Sequence, residues 1–121
     1  MKKILTIEDD AFLKNIESVK FTRSGFDVAT AVTKADIDQS LATGLPDIIL
    51  LDMMLPDIDG YQILQNLKAD QKTKAIPVIV FSNLSNNVDM KKMMTAGAAA
   101  FMIKSNFTLD EVVEKIKSLI P

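Results

Sequence analysis

The sequence predicts an α/β fold of the (βα)5 kind, with a five-stranded parallel sheet of order 2-1-3-4-5 covered by helices on both faces. Two observations lead to it: five short apolar runs recur at intervals of about 20 to 30 residues, and the segments between them carry helical spacing. The punctuation agrees. Gly25, Gly44 and Gly97 fall just after helical patterns, where a left-handed C-cap is wanted, while Pro46 and Pro77 sit just ahead of strands.

The first run, Ile4 to Ile7, stops at Glu8-Asp9-Asp10, whose acids can also cap the helix that follows. The second, Val28 to Val32, is a weak strand, as Asp27-Val28-Ala29-Thr30-Ala31 shows. The third, Ile48 to Leu51, and the fourth, Val78 to Phe81, are uniformly apolar, as strands buried on both faces must be. The fifth, Ala99 to Ile103, is Ala-rich. Weak runs suit the edges and apolar ones the interior, which the order 2-1-3-4-5 satisfies through right-handed crossovers. The last helix is the clearest: Leu109, Val112, Val113, Ile116 and Ile120 share a face, and Thr108 with Glu111 supplies a capping box. With no repeat, low-complexity tract or linker, residues 1–121 read as one domain.

Composition removes many functions. There is no cysteine and no histidine, hence no disulfide framework, thiolate zinc site, cysteine nucleophile, imidazole base or phosphohistidine. Apolar residues make up 48%, enough for a core. Fourteen basic against sixteen acidic residues give a net charge of -2, so no nucleic-acid binding by this chain alone is expected. Glu8-Asp9-Asp10 cuts the first apolar stretch short of a signal-peptide core, and no later run reaches membrane-span length. A cytoplasmic location without a membrane partner is expected.

In this strand order the switch point lies between strands 1 and 3, where doubly wound folds place their sites. Strand 1 ends in Glu8-Asp9-Asp10 and strand 3 in Asp52, so three or four carboxylates converge on one crevice. Such a cluster repels itself and calls for a cation. Oxygen-only donors select a hard ion, and few carboxylates with open positions suit Mg2+ better than Ca2+. Strand 4 ends in Ser82 and strand 5 in Lys104, adding a hydroxyl and an ammonium to the same edge. Glu8, Asp9 and Asp52 together balance Lys104 plus Mg2+, leaving a neutral site fit to receive a phosphoryl group on a carboxylate.

Over its whole length the chain resembles the receiver domain of two-component response regulators. The matching stretches are Ile4-Leu5-Thr6-Ile7-Glu8-Asp9-Asp10, Pro46 through Gly60, Pro77-Val78-Ile79-Val80-Phe81-Ser82, and Ala96-Gly97-Ala98 through Phe101 and Lys104. The resemblance implies a flavodoxin-like three-layer sandwich with Asp52 as phosphoacceptor. It implies Mg2+ held by Asp9, Asp52 and the Met54 carbonyl, with Glu8 acting through water. Ser82 and Lys104 would read the phosphoryl oxygens, and Phe101 would change rotamer when Ser82 is drawn in. A histidine kinase or histidine phosphotransfer protein would be the donor, and a downstream protein would read the face made by the fourth helix, fifth strand and fifth helix. Met90, Met93 and Met94 on that fourth helix fit either a partner surface or the core.

Two positions depart from the family pattern. Ser105 follows Lys104 where the family generally has a cis proline, and a cis non-proline bond costs about 2.5 to 4 kcal/mol, so a trans bond and a reshaped loop are expected. Asn83 follows the switch hydroxyl where the family favours Ala or Gly; with Met54 and Leu84 it forms the rim through which water would reach the phosphoryl group. An alternative is a phosphatase of the haloacid dehalogenase type, but its second Asp, two residues after the nucleophile, is here Met54. A flavin module lacks its phosphate-cradling loop, since the first loop is acidic. A phosphorylation-independent interaction domain would not need the full set of acids, hydroxyl and lysine.

Overall fold

Each apolar run becomes a strand in the computed structural model, which describes residues 1–83 and 86–121. The strands are β1 (Lys3–Ile7), β2 (Asp27–Ala31), β3 (Ile48–Leu51), β4 (Val78–Ser82) and β5 (Ala100–Ile103). All pairings are parallel and the order is β2-β1-β3-β4-β5, as the apolar patterning predicts. β3 and β4 are buried throughout, whereas β2 is largely exposed or half-buried, as an edge should be. Some strand ends move by one residue from the apolar runs, because the ladder rather than hydrophobicity sets them: β2 stops at Ala31, β5 starts at Ala100 and β4 takes in Ser82.

Between the strands run α1 (Ala11–Arg23), α2 (Lys34–Thr43), α3 (Gly60–Ala69) and α4 (Asn87–Thr95), and α5 (Leu109–Leu119) closes the chain. Side-chain caps start every one. Asp10 accepts the Leu13 N–H at 3.0 Å, Thr33 with Asp36 and Thr108 with Glu111 form capping boxes, and Asp59 and Asn86 cap α3 and α4. Among the described residues no helix is long and apolar enough to cross a membrane.

Strand alternation divides the core into two layers. Leu5, Ile7, Ile49, Leu51, Val78 and Val80 meet α2, α3 and α4 through Ile37, Ile63, Leu64, Leu67 and Met93. Ile4, Ile48, Leu50, Ile79, Phe81 and Met102 meet α1 and α5 through Phe21, Val112, Val113 and Ile116. A Lys20–Asp110 ion pair links α1 and α5 at the surface. The methionines of α4 divide accordingly: Met93 is core, Met94 is exposed and Met90 is half-buried.

Gly25 and Gly97 adopt φ of +96° and +111°, the left-handed caps expected of them. Gly44 does not. Its φ of 175° is extended backbone, its N–H returns to Ser40 O at 3.2 Å, and its carbonyl accepts from Lys3 Nζ at 3.1 Å, so the chain leaves α2 straight toward β3.

Candidate functional site

The β1–β3 register pairs Ile7 with Leu51, so the residues just past both strands, Glu8-Asp9 and Asp52, emerge side by side at the switch point. One carboxylate oxygen from each of Glu8, Asp9 and Asp52 lies within 4.8 Å of the other two. Glu8 and Asp52 are buried while Asp9 opens to solvent. From the end of β5, Lys104 Nζ donates to Glu8 Oε1 at 2.7 Å and to Asp52 Oδ2 at 3.1 Å. Backbone N–H groups meet the remaining oxygens: Asp10 donates to Glu8 Oε2 at 3.1 Å and Met54 to Asp52 Oδ1 at 3.2 Å. Each buried carboxylate is therefore held by one amide and one ammonium.

Burial pushes the Glu8 carboxyl up to about 7; the Lys104 hydrogen bond opposes that rise and the neighbouring Asp52 adds to it. For Lys104 burial pulls downward, but the Glu8 hydrogen bond and the Asp52 charge carry it above its ordinary value. The donor set is all oxygen and gathered within the reach of one ion, so a hard divalent cation fits it.

Continuing the β3–β4 register, Phe81 stands level with Asp52 and Ser82 one step beyond, so the buried Ser82 lies at the same edge. Phe101 pairs with Val80, is half-buried and packs against the layer facing α2, α3 and α4. The rim residues Asn83 and Met54 are exposed, while Leu84 lies outside the described residues. Lys104–Asn106 form one 3-10 turn, and among the described residues no peptide bond is cis. With the Lys104–Ser105 bond trans, Lys104 contacts both carboxylates.

Two features of the site escape sequence reasoning. Gly60 reads there only as part of a motif, yet a Cβ on it would lie 2.6 Å from Met53 Cα and 2.9 Å from Asp52 O. The loop after Asp52 is folded backbone against backbone, with a Met54–Asp59 bridge closing it, and only glycine permits the approach. The second is Glu17 on α1, 1% exposed, with neither oxygen hydrogen-bonded among the described residues. Burial pushes its carboxyl up to about 8; Glu8 and Asp52 add to the rise and Lys104 opposes it.

This arrangement has relatives. The model of the response regulator receiver domain family matches residues 4–117. The chain is 34% identical over 121 residues to the DNA-binding dual master transcriptional regulator RpaA of Synechocystis sp., covering 99% of this chain and 49% of that protein. It thus spans about half the length of that relative. Protein PilG of Pseudomonas aeruginosa is 29% identical over 119 residues, covering 98% of this chain and 87% of PilG. Among solved structures, the BeF3-activated DrrB receiver domain superposes with a TM-score of 0.87 at 28% identity, covering 99% of this chain and 97% of that one. With the sheet order, the acid cluster and the matched residues in agreement, the chain belongs to the family of response regulator receiver domains, the signalling domains of two-component systems.

Proposed function

We propose that Asp52 accepts a phosphoryl group from a phosphohistidine of a histidine kinase or histidine phosphotransfer protein, in a Mg2+-dependent reaction that switches a protein-binding face. One observation carries this reading: Glu8, Asp9, Asp52 and Lys104 converge at a single strand edge, with Asp52 touched by the lysine. In the transfer an Asp52 oxygen forms a bond to phosphorus as the phosphorus–nitrogen bond to histidine breaks, and the electron pair leaves with the imidazole. Lys104, already beside Asp52 Oδ2, neutralises charge on the phosphoryl oxygens, and the Ser82 hydroxyl bonds one of them. Asp9, Asp52 and the Met54 carbonyl would hold Mg2+, with Glu8 acting through water, and the ion when bound supplies the remaining positive charge. The BeF3-activated state of the DrrB relative supports the same site chemistry.

Met54 stands where a phosphatase of the haloacid dehalogenase type would carry its acid and base, so turnover should be slow and the aspartyl phosphate should persist as a signal. These 121 residues contain no histidine, so a phosphohistidine donor lies outside them. The test is intact mass after incubation with Mg2+ and a small acyl phosphate. The wild type should gain one phosphate and Asp52→Asn none; equal labelling of both would move the acceptor elsewhere. Asp9→Ala should lose labelling while its circular dichroism stays native, and undiminished labelling would remove Asp9 from the metal site.

A further inference from the structure

Between α3 and α4 runs an open groove of about 800 Å3. The two helices point the same way, because each returns the chain between parallel strands. Tyr61 and Lys68 rise from α3, and Val88, Lys91 and Lys92 from α4, while Ala69 and Ala96 line the end remote from the Asp52 edge. Among the described residues that line it there is no carboxylate, in a chain of net charge -2.

Two of the three groove lysines are held in place. Lys92 Nζ lies 3.9 Å from the centroid of the Tyr61 ring, a cation–π arrangement. Lys68 Nζ donates to Ile76 O at 2.7 Å and to Lys74 O at 3.1 Å, which leaves one of its three N–H groups for a ligand. Its stem lies across the end of α4, where a Cβ on Gly97 would come within 3.1 Å of Lys68 Cγ. Lys92 thus stacks on Tyr61 while Lys68 sits seven residues further along α3, about 10 Å away along the axis. A ligand that meets both ends of the groove carries several negative groups spaced over about two helical turns. Beside the lysines, Val88 is 72% exposed and Tyr61 half-buried, an apolar seat at the end nearer Asp52. The alanines at the other end let a second backbone approach.

From this geometry we propose that the α3–α4 groove docks an acidic amphipathic helix of a partner protein, two to three turns long. Its aliphatic side chains sit on Val88 and Tyr61, and its carboxylates face Lys68, Lys91 and Lys92. The groove uses the flank of α4 opposite Met90 and Met94, so the docked helix leaves the face made by α4, β5 and α5 uncovered. The proposal does not depend on the phosphoacceptor role of Asp52.

The probe is a synthetic 14-residue helical peptide with leucines on one face and four flanking glutamates, titrated into 15N-labelled full-length protein. Amide shifts should cluster on α3 and α4. A peptide with glutamine for glutamate should bind at least tenfold more weakly, as should the exposed double variant Lys91→Glu/Lys92→Glu, whose unperturbed spectrum elsewhere reports an intact fold. A peptide with lysine for glutamate should recover binding to that variant. Shifts centred on another face, equal binding of the glutamine peptide, no binding at all, or no recovery on charge exchange would each overturn the proposal. So would inorganic phosphate or ATP producing the same shifts more tightly than the peptide, since the groove would then be a small-anion site.

Discussion

Lys104 holds Glu8 more closely than it holds Asp52, at 2.7 Å against 3.1 Å, although Asp52 is the proposed phosphoacceptor. The lysine thus compensates two buried carboxylates at once while its shorter bond restrains it toward β1. Removing one member of a buried charge set leaves the others unpaired, which costs about 3 to 5 kcal/mol. Lys104→Met should therefore lower the urea-unfolding free energy by about 3 kcal/mol, and Glu8→Gln added to it should recover part of the loss at alkaline pH, where the Glu8 carboxyl would otherwise be a second orphaned charge. Mg2+ should raise the melting temperature of Lys104→Met more than that of the wild type, because the ion supplies the missing positive charge. A single variant as stable as the wild type in urea would show that the lysine contributes nothing net to the resting fold.

Glu17 makes stability depend on pH in a direction opposite to that of a salt-bridged acid. Its folded carboxyl is pushed up to about 8, above the ordinary 4.5, because it is buried without a hydrogen-bond partner among the described residues. Between those values the unfolded chain has released a proton that the folded one retains, so stability falls as pH rises through that window and levels off above it. The full difference is on the order of 5 kcal/mol. Glu17→Gln keeps the shape and removes the titration, so its advantage over wild type should be small near pH 5 and grow toward pH 8 in chemical denaturation. A difference that stays constant between pH 5 and pH 8 would mean that Glu17 titrates normally.

The same residue marks where sequence patterning stops being informative. Strand order was legible because Ile48–Leu51 and Val78–Phe81 are apolar at every position, which only interior strands require. The site followed from topology, since parallel strands must deliver Glu8, Asp52, Ser82 and Lys104 to one edge. On α1 the logic fails: Phe12, Ile16 and Val19 form an apolar stripe that stays on the surface, at 77%, 40% and 45% exposure, while Glu17 points inward with Phe21. A helix is oriented by its packing partners, and no periodicity shows that a carboxyl will be buried neutral. Gly60 was illegible for a related reason, because its need for no side chain comes from the returning backbone of Met53, a tertiary contact.

Switching should be visible at Phe101. It is half-buried beside Val80, whereas Ser82 is buried at the strand edge. Phosphorylation can shift the balance between inward and outward placements of its ring only by as much as it favours one of them, so both should be populated beforehand. Ring resonances of Phe101 and methyl resonances of α4 and α5 should move toward one limit on treatment with BeF3-. Shifts confined to the surroundings of Asp52, with that face unmoved, would defeat the switch.

The lifetime of the phosphorylated state should be set at the rim. Hydrolysis of an aspartyl phosphate needs a water in line with the bond to Asp52, so any side chain that leans over the approach can exclude or misplace it. Asn83 follows the last residue of β4 and is exposed, and Met54, two residues after Asp52, is 62% exposed, so both side chains are free to cover that approach. Met54 also lacks any group that could orient a water or take its proton. A barrier higher by about 1.4 kcal/mol slows hydrolysis tenfold. Asn83→Ala should accordingly shorten the life of the phosphorylated protein several-fold, and Met54→Asp, which supplies a carboxylate at the rim, should shorten it further. The measurement is loss of the phosphate mass after the acyl phosphate is removed, at fixed Mg2+, for wild type and both variants. The opposite ordering has an equally definite meaning: if the Asn83 amide hydrogen-bonds the attacking water, Asn83→Ala will decay at the wild-type rate or more slowly, and the side chain assists hydrolysis instead of shielding the bond.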